Sequence, residues 1–142
     1  MANWKPKNNF GIKLNYNYND TYDGADCDDP NLGAGKCLDE AMVRVPRHTI
    51  SSAINFNNNE RFKNSLIFKY SSEARDYGNA NNNWADQILD PYTTFDYIGS
   101  YKLYDNYSFF YTIQNISDEK YEQAYQYSTL GRSLNFGLKR IY

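Results

Sequence analysis

The chain has one histidine and two cysteines in 142 residues, too few for the thiolate and imidazole sets that structural zinc requires. No Gly-x-Ser-x-Gly elbow, no phosphate-cradling glycine-rich loop and no cysteine beside a base occurs, so a catalytic constellation is missing. His48 has Ser51 and Ser52 close by in sequence, but neighbouring strand residues point to opposite faces; it reads as an interfacial strand residue. Neither sign of charge dominates. The 15 basic side chains stand against 17 acidic ones, which removes the basic footprint of a nucleic-acid binder. Long apolar runs are lacking too: mean hydropathy is -0.83, and nothing approaches the ~18 residues of a spanning helix. That absence does not exclude a membrane protein. A barrel strand shows lipid only every second residue and crosses in about 10, so its average hydropathy stays low.

What the chain has in quantity is aromatic side chains, with 15 Tyr, 8 Phe and 2 Trp. Interleaved with Asn, Ser and Lys, they suit a barrel wall with interfacial girdles; a Tyr-rich soluble sandwich is the bland alternative. Phe10, Ile12, Leu14, Tyr16 and Tyr18 alternate with Lys13, Asn15, Asn17 and Asn19, a period-two pattern that a helix would smear around its circumference. The same alternation predicts strands over Val45–Phe56, Lys63–Ser72, Thr93–Tyr104, Tyr107–Ile116 and Ser133–Tyr142. Inward-facing Ile67, Ile98 and Phe110 fit a wet lumen poorly and point to packing against an inward chain. Trp4 to Asn9 reads as an entry turn, with Pro6 breaking any strand. The connections alternate long and short, about 24, 5, 20, 2 and 15 residues in order, as outer-membrane barrels alternate external loops with periplasmic turns. Asp105-Asn106 has the composition of a tight hairpin turn. On this reading Phe10, Phe56, Phe62, Leu103, Tyr107 and Tyr142 form a girdle at the periplasmic interface.

The terminal stretch is the most specific. Asn115, Asp118, Tyr121 and Glu122 are followed by a loop and the pair Gly131-Arg132. A last strand then places Leu134, Phe136 and Leu138 on one face, Asn135, Gly137 and Lys139 on the other, and ends on Tyr142. This resembles the C-terminus of TonB-dependent outer-membrane receptors, which close with Asn-Leu-Phe-Asp-x-x-Tyr-Glu, a Gly-Arg pair and a strand of the form polar-x-Gly-x-x-apolar-x-aromatic. Ser117 and Arg140 depart from the pattern; Arg140 is tolerable near water, where its stem lies in lipid and its head reaches out. Arg44-Val-Pro-Arg-His48 resembles the segment leading into a descending strand of the same family.

The resemblance implies an all-β, antiparallel up-and-down transmembrane barrel segment, about six strands of a barrel of about 22. Residues 1–142 would be the C-terminal portion of such a receptor. Its plug and signal peptide are expected on a longer precursor, because Met1–Pro6 lacks an apolar signal core. The implied function is active uptake of a scarce metal chelate, iron-siderophore or cobalamin, across the Gram-negative outer membrane. The compact last loop leans toward the cobalamin branch. The implied partners are the bilayer, the barrel-assembly machinery, TonB acting through the plug, and the chelate itself, with no cofactor. Asn135, Gly137 and Tyr142 match the assembly signal. Cys27 and Cys37, in one loop of an exported chain, point to a disulfide that restrains the unfolded loop by roughly 3 kcal/mol. Asp20, Asp23, Asp26, Asp28 and Asp29 do not have calcium-loop spacing and read as solvated carboxylates. Arg75, Tyr77, Trp84, Tyr125 and Tyr127, aromatic or guanidinium side chains on long loops, are the candidate ligand contacts; ordering those loops is their alternative role. A passive porin-like channel and a soluble β-rich binding module are the competing classes.

Overall fold

The computed structural model describes the backbone of residues 1–7, 9–23, 40–57, 61–80 and 83–140, with side chains except at 6–7, 22–23, 40–41, 77–80 and 83–86. The described residues form β1 (Ala2–Lys7), β2 (Phe10–Tyr18), β3 (Tyr22–Asp23), β4 (Glu40–Ala41), β5 (His48–Phe56), β6 (Phe62–Ser71), β7 (Ala74–Ala80), β8 (Asn83–Leu89), β9 (Tyr92–Tyr104), β10 (Tyr107–Gln114), β11 (Glu122–Ala124), β12 (Tyr127–Ser128) and β13 (Ser133–Arg140). Seven of them build one antiparallel sheet in the order β1-β2-β5-β6-β9-β10-β13. The sheet is a meander that does not close, with β1 and β13 as its edges. Each of the three long connections carries a two-stranded hairpin, β3-β4, β7-β8 or β11-β12. Because neighbouring sheet strands are antiparallel, all three hairpins emerge at one end of the sheet. The short turns, Asp105-Asn106 among them, lie at the other.

The register follows from the alternation. Directly paired residues share a face, and one row runs Trp4, Ile12, Ile54, Leu66, Tyr97, Ile113, Leu134 across the whole sheet. The row below it runs Phe10, Phe56, Asn64, Gly99, Tyr111, Phe136. Phe62, Tyr101, Phe109 and Leu138 make a third row. The opposite face shows rows such as Asn15, Ser51, Lys69, Thr94. A one-residue slip anywhere would exchange the two faces, so the pattern specifies the register strongly.

Among the described residues no second layer covers the apolar face. Among the described residues Leu89 is the single buried hydrophobic one, while Leu134, Phe136 and Leu138 are 62%, 70% and 68% exposed. A sandwich would bury these rows between two sheets; here they form the outer surface of a wall. Phe10, Phe56, Phe62 and Tyr107 lie at the short-turn end as expected, and Leu103 sits there at a bulge between the paired residues Tyr104–Tyr107 and Lys102–Ser108. Arg140 pairs with Tyr107 and places its guanidinium 5.5 Å from that ring's centroid, a cation–π contact that accounts for a charge on this face.

Three expectations are corrected. Residues Ala2–Lys7 are a seventh strand, not an entry turn; the pairing is irregular between Trp4 and Lys7, so Pro6 sits where the ladder is already broken, on an edge. The second long connection is a ladder from Ala74–Leu89 to Ala80–Asn83 instead of an irregular loop. The third contains a short hairpin, with Glu122 opposite Ser128. Polar composition hid these pairings, because backbone groups make the ladder whatever the side chains are. Gly137 also has a local reason: a Cβ there would stand 2.6 Å from Cζ of Phe110, its cross-strand partner. The inward ring lies across the glycine.

Candidate functional site: the junction of the long connections

The three long connections meet on one carboxylate. Arg44 sits in a turn at φ 61°, and its backbone N–H donates to the carbonyl of Arg75 at 2.7 Å. Its Nε donates to both carboxylate oxygens of Asp76, at 3.0 and 3.1 Å. The Asp76 Oδ2 also accepts the backbone N–H of Tyr125 at 2.7 Å. Asp76 is 0% exposed. A buried carboxylate is tolerable only where charge-assisted donors replace its water, and here the donors come from the first and third connections while the acceptor stands on the second.

The third connection is braced from within. Asn115, at φ 50°, uses Oδ1 to accept the Glu119 N–H and Nδ2 to donate to the Glu119 carbonyl, both at 2.9 Å. Its own N–H donates to Asp96 Oδ1 at 2.9 Å, while Asp96 Oδ2 accepts from Lys69 Nζ at 2.7 Å. Asp118 Oδ1 accepts the Arg132 N–H at 2.8 Å. The spacing Asn115-x-x-Asp118 followed by Arg132 thus marks a loop held by its own side chains, as Asx turns are. Tyr92 stacks on Tyr121 with ring centroids 3.9 Å apart, and Gln123 donates to the Tyr92 hydroxyl at 3.3 Å. Between the first, second and third connections lies a hollow of about 340 Å³ lined by Arg44, Ser72, Leu89, Tyr92 and Glu122.

Of the expected contact residues, Arg75 and Tyr125 are brought to this junction through their backbones. Tyr125 is half-buried, and Tyr127, opposite Ala124, is 74% exposed. Tyr77 and Trp84 stand on β7 and β8 opposite Asp86 and Asn79; their side chains lie outside the described residues, as do Cys27, Cys37, Asp26, Asp28, Asp29 and Tyr142. Sequence reasoning missed Asp76 and the role of Arg44. A lone aspartate in a polar loop carries no signal separating it from solvated charges, although its place between Arg75 and Tyr77 was within view. His48 lies on the apolar face, its Nδ1 2.9 Å from the Tyr16 hydroxyl. Among the described residues the junction presents guanidinium, phenol and amide groups.

A sequence-family model for "TonB dependent receptor-like, beta-barrel" matches residues 1–116. The chain belongs to that family. The matched stretch ends where the Asn115 motif begins, so the barrel match and the C-terminal resemblance rest on nearly separate residues. This TonB-dependent receptor barrel segment superposes on the siderophore receptor PiuA of Acinetobacter baumannii with a TM-score of 0.69, at 22% identity, covering 97% of this chain and 20% of that one. For the siderophore receptor PirA of the same species the TM-score is 0.73, at 17% identity, with 95% and 20% covered. For the ferripyoverdine receptor of the outer membrane of Pseudomonas aeruginosa, solved with ferripyoverdine bound, it is 0.71 at 12% identity, with 97% and 18% covered. At these identities the likeness is one of fold, and the chain spans about a fifth of each structure. Among curated proteins, no sequence matches this one.

Proposed function

We propose that this segment is the C-terminal wall of a Gram-negative outer-membrane receptor that takes up a ferric siderophore by active transport. One observation carries the reading: a single-layer wall with one apolar face ends in three long connections tied together by Asp76. The apolar face meets lipid, the short turns face the periplasm, and the tied connections form an external platform for capture. The polar face lines the lumen. It carries Lys13, Lys63, Lys69 and Lys139, with Asp96 as the one carboxylate among its described strand residues; this charge suits an anionic chelate. The structural relatives named above are siderophore receptors, which favours a siderophore over cobalamin. TonB would act through a plug supplied by the rest of the receptor. Asn135, Gly137 and Tyr142 would be read by the barrel-assembly machinery, and Arg75, Tyr77, Trp84, Tyr125 and Tyr127 would touch the ligand.

The decisive experiment uses the complete receptor carrying this segment. Uptake of a labelled ferric siderophore should require TonB, and replacing Arg75 and Tyr125 together should reduce binding to intact cells. Uptake that persists in cells lacking TonB would point to a passive channel instead. An epitope inserted between residues 24 and 39 should be stained on intact cells, and one inserted at Asn106 only after permeabilisation; the opposite result reverses the wall.

A further inference from the structure

The polar face is not polar throughout. Ile98 and Phe110 stand on it, on the neighbouring strands β9 and β10, and are 41% and 44% exposed. The Phe110 ring leans on the wall at Gly137 and leaves its remaining surface open. On the same face Lys13 projects from β2 and Lys63 from β6. Lys5, on β1, passes its stem over Gly11, with Cγ 3.3 Å from where a Cβ would stand. Among the described residues no carboxylate pairs with any of these three lysines, and Asp96 is taken by Lys69. The five side chains, with Asn55, line one hollow of about 520 Å³. It crosses β1, β2, β5, β6, β9 and β10, a run of about 24 Å at the usual strand spacing. The trough is basic over β1, β2 and β6 and apolar over β9 and β10.

We propose that this trough seats an extended segment of the same receptor from outside residues 1–142, acidic where it crosses β2 and β6 and apolar where it crosses β9 and β10. The inference rests on the receptor reading above, which makes this face the lumen wall. Three like charges in one hollow repel one another until carboxylates compensate them, and Ile98 and Phe110 gain by losing contact with water. One amphipathic chain answers both demands at once. A chelate in transit would leave both unmet in the resting receptor, and a trough about 24 Å long suits an extended chain better than a compact complex. The structural relatives are about five times as long as this chain, so a receptor of that size has chain to supply the segment. At about 3.3 Å per residue, the apolar side chain over Phe110 falls about three residues from the carboxylate facing Lys63 and about six from the one facing Lys13. Ion pairs at a wet wall are weak and screened by salt. Such a contact holds the segment at rest and releases it when the lumen must open.

The test is carbodiimide coupling, which joins a lysine to a carboxylate it touches, applied to the complete receptor in isolated outer membranes and read by mass spectrometry of the linked peptides. Lys13 and Lys63 are expected to couple to Asp or Glu outside residues 1–142. A benzophenone side chain placed at Ile98 should capture the same segment within about six residues of those carboxylates. Acetylation of Lys13 and Lys63 should run about tenfold slower than that of Lys120, an exposed residue of the third connection, the equilibrium equivalent of one charge-assisted hydrogen bond. Salt at about 1 M should remove the difference. Lysines that stay uncoupled and acetylate as fast as Lys120 overturn the proposal while leaving an inserted receptor intact, and this reading needs no variant that folds. Protection that appears only when ferripyoverdine, the ligand of one structural relative, is added gives the trough to the chelate and overturns it too. Coupling between two isotopically distinct copies would place this face outside a lumen, and the receptor reading would fall with the proposal.

Discussion

The two ends of the sheet handle charge in opposite ways. At the long-connection end Asp76 is wholly buried and its oxygens are shared by Arg44 and Tyr125. At the short-turn end Asp105 accepts from Lys102 Nζ at 2.9 Å, but its side chain is 97% exposed. The same ion-pair chemistry organises one end and merely decorates the other, because water reaches both members of the Lys102–Asp105 pair but only the Arg44 side of the other, whose carboxylate is wholly buried. Strands joined by tight turns need no polar brace. The three long connections are tied at Asp76.

The largest loss of contacts is expected for Asp76→Ala, which leaves Arg44 Nε and the Tyr125 N–H without this acceptor. It should cost about 1–3 kcal/mol in the stability of the junction, because the Arg44 guanidinium left behind is solvated while the Tyr125 N–H loses its acceptor. Limited proteolysis should then cut within residues 74–89 while the seven-stranded sheet keeps its protection; an uncut hairpin would show that the carboxylate ties nothing together. Next comes Asn115→Ala, which removes both bonds to Glu119 at a positive-φ position and should cost about 2–3 kcal/mol in urea unfolding. Gly137→Ala should cost about 1–2 kcal/mol by displacing the Phe110 ring. Phe110→Ala in the same molecule should restore most of that loss. If assembly into the membrane stays slow in the double variant, Gly137 is read by the assembly machinery and is not only packed upon. Smallest is Asp105→Asn, which should lower the unfolding midpoint only slightly at neutral pH and not at all at a pH below the folded-state pKa of Asp105. The hydrogen bond and charge of Lys102 hold the Asp105 carboxyl below its ordinary pKa. Its small stabilising contribution is present above the unfolded-state value and is lost as pH falls through the lowered folded-state value. An NMR titration of Asp105 with and without Lys102→Ala reads this directly, and coincident curves would count against the pairing.

Several features of the molecule were legible before any coordinates. The period of two placed Ile12, Ile54, Leu66, Tyr97 and Ile113 on one face, and pairing then set them side by side in a single row. Proline misled at β1, because the rule against Pro in strands holds for continuous ladders and Pro6 falls at a break in an edge pairing. Asn- and Asp-rich composition misled at β7-β8, where an exposed hairpin needs no apolar face to form its backbone bonds. Among the candidate contacts, Arg75 and Tyr125 stand on long connections, and their backbone groups meet the Arg44–Asp76 pair.

Residue order alone carried the parity of each strand, the family and the all-β class. Side-chain alternation is a local property, the alternating connection lengths set which end is which, and the Asn115–Arg132 spacing named the family. Only the tertiary structure decided that one aspartate would join three connections, that Tyr111 would cross a glycine to reach Asn64, and that Phe110 would lie over Gly137. Each of these depends on residues from separate strands or connections, and a side chain's worth there is set by the donors, rings and gaps the fold brings to it.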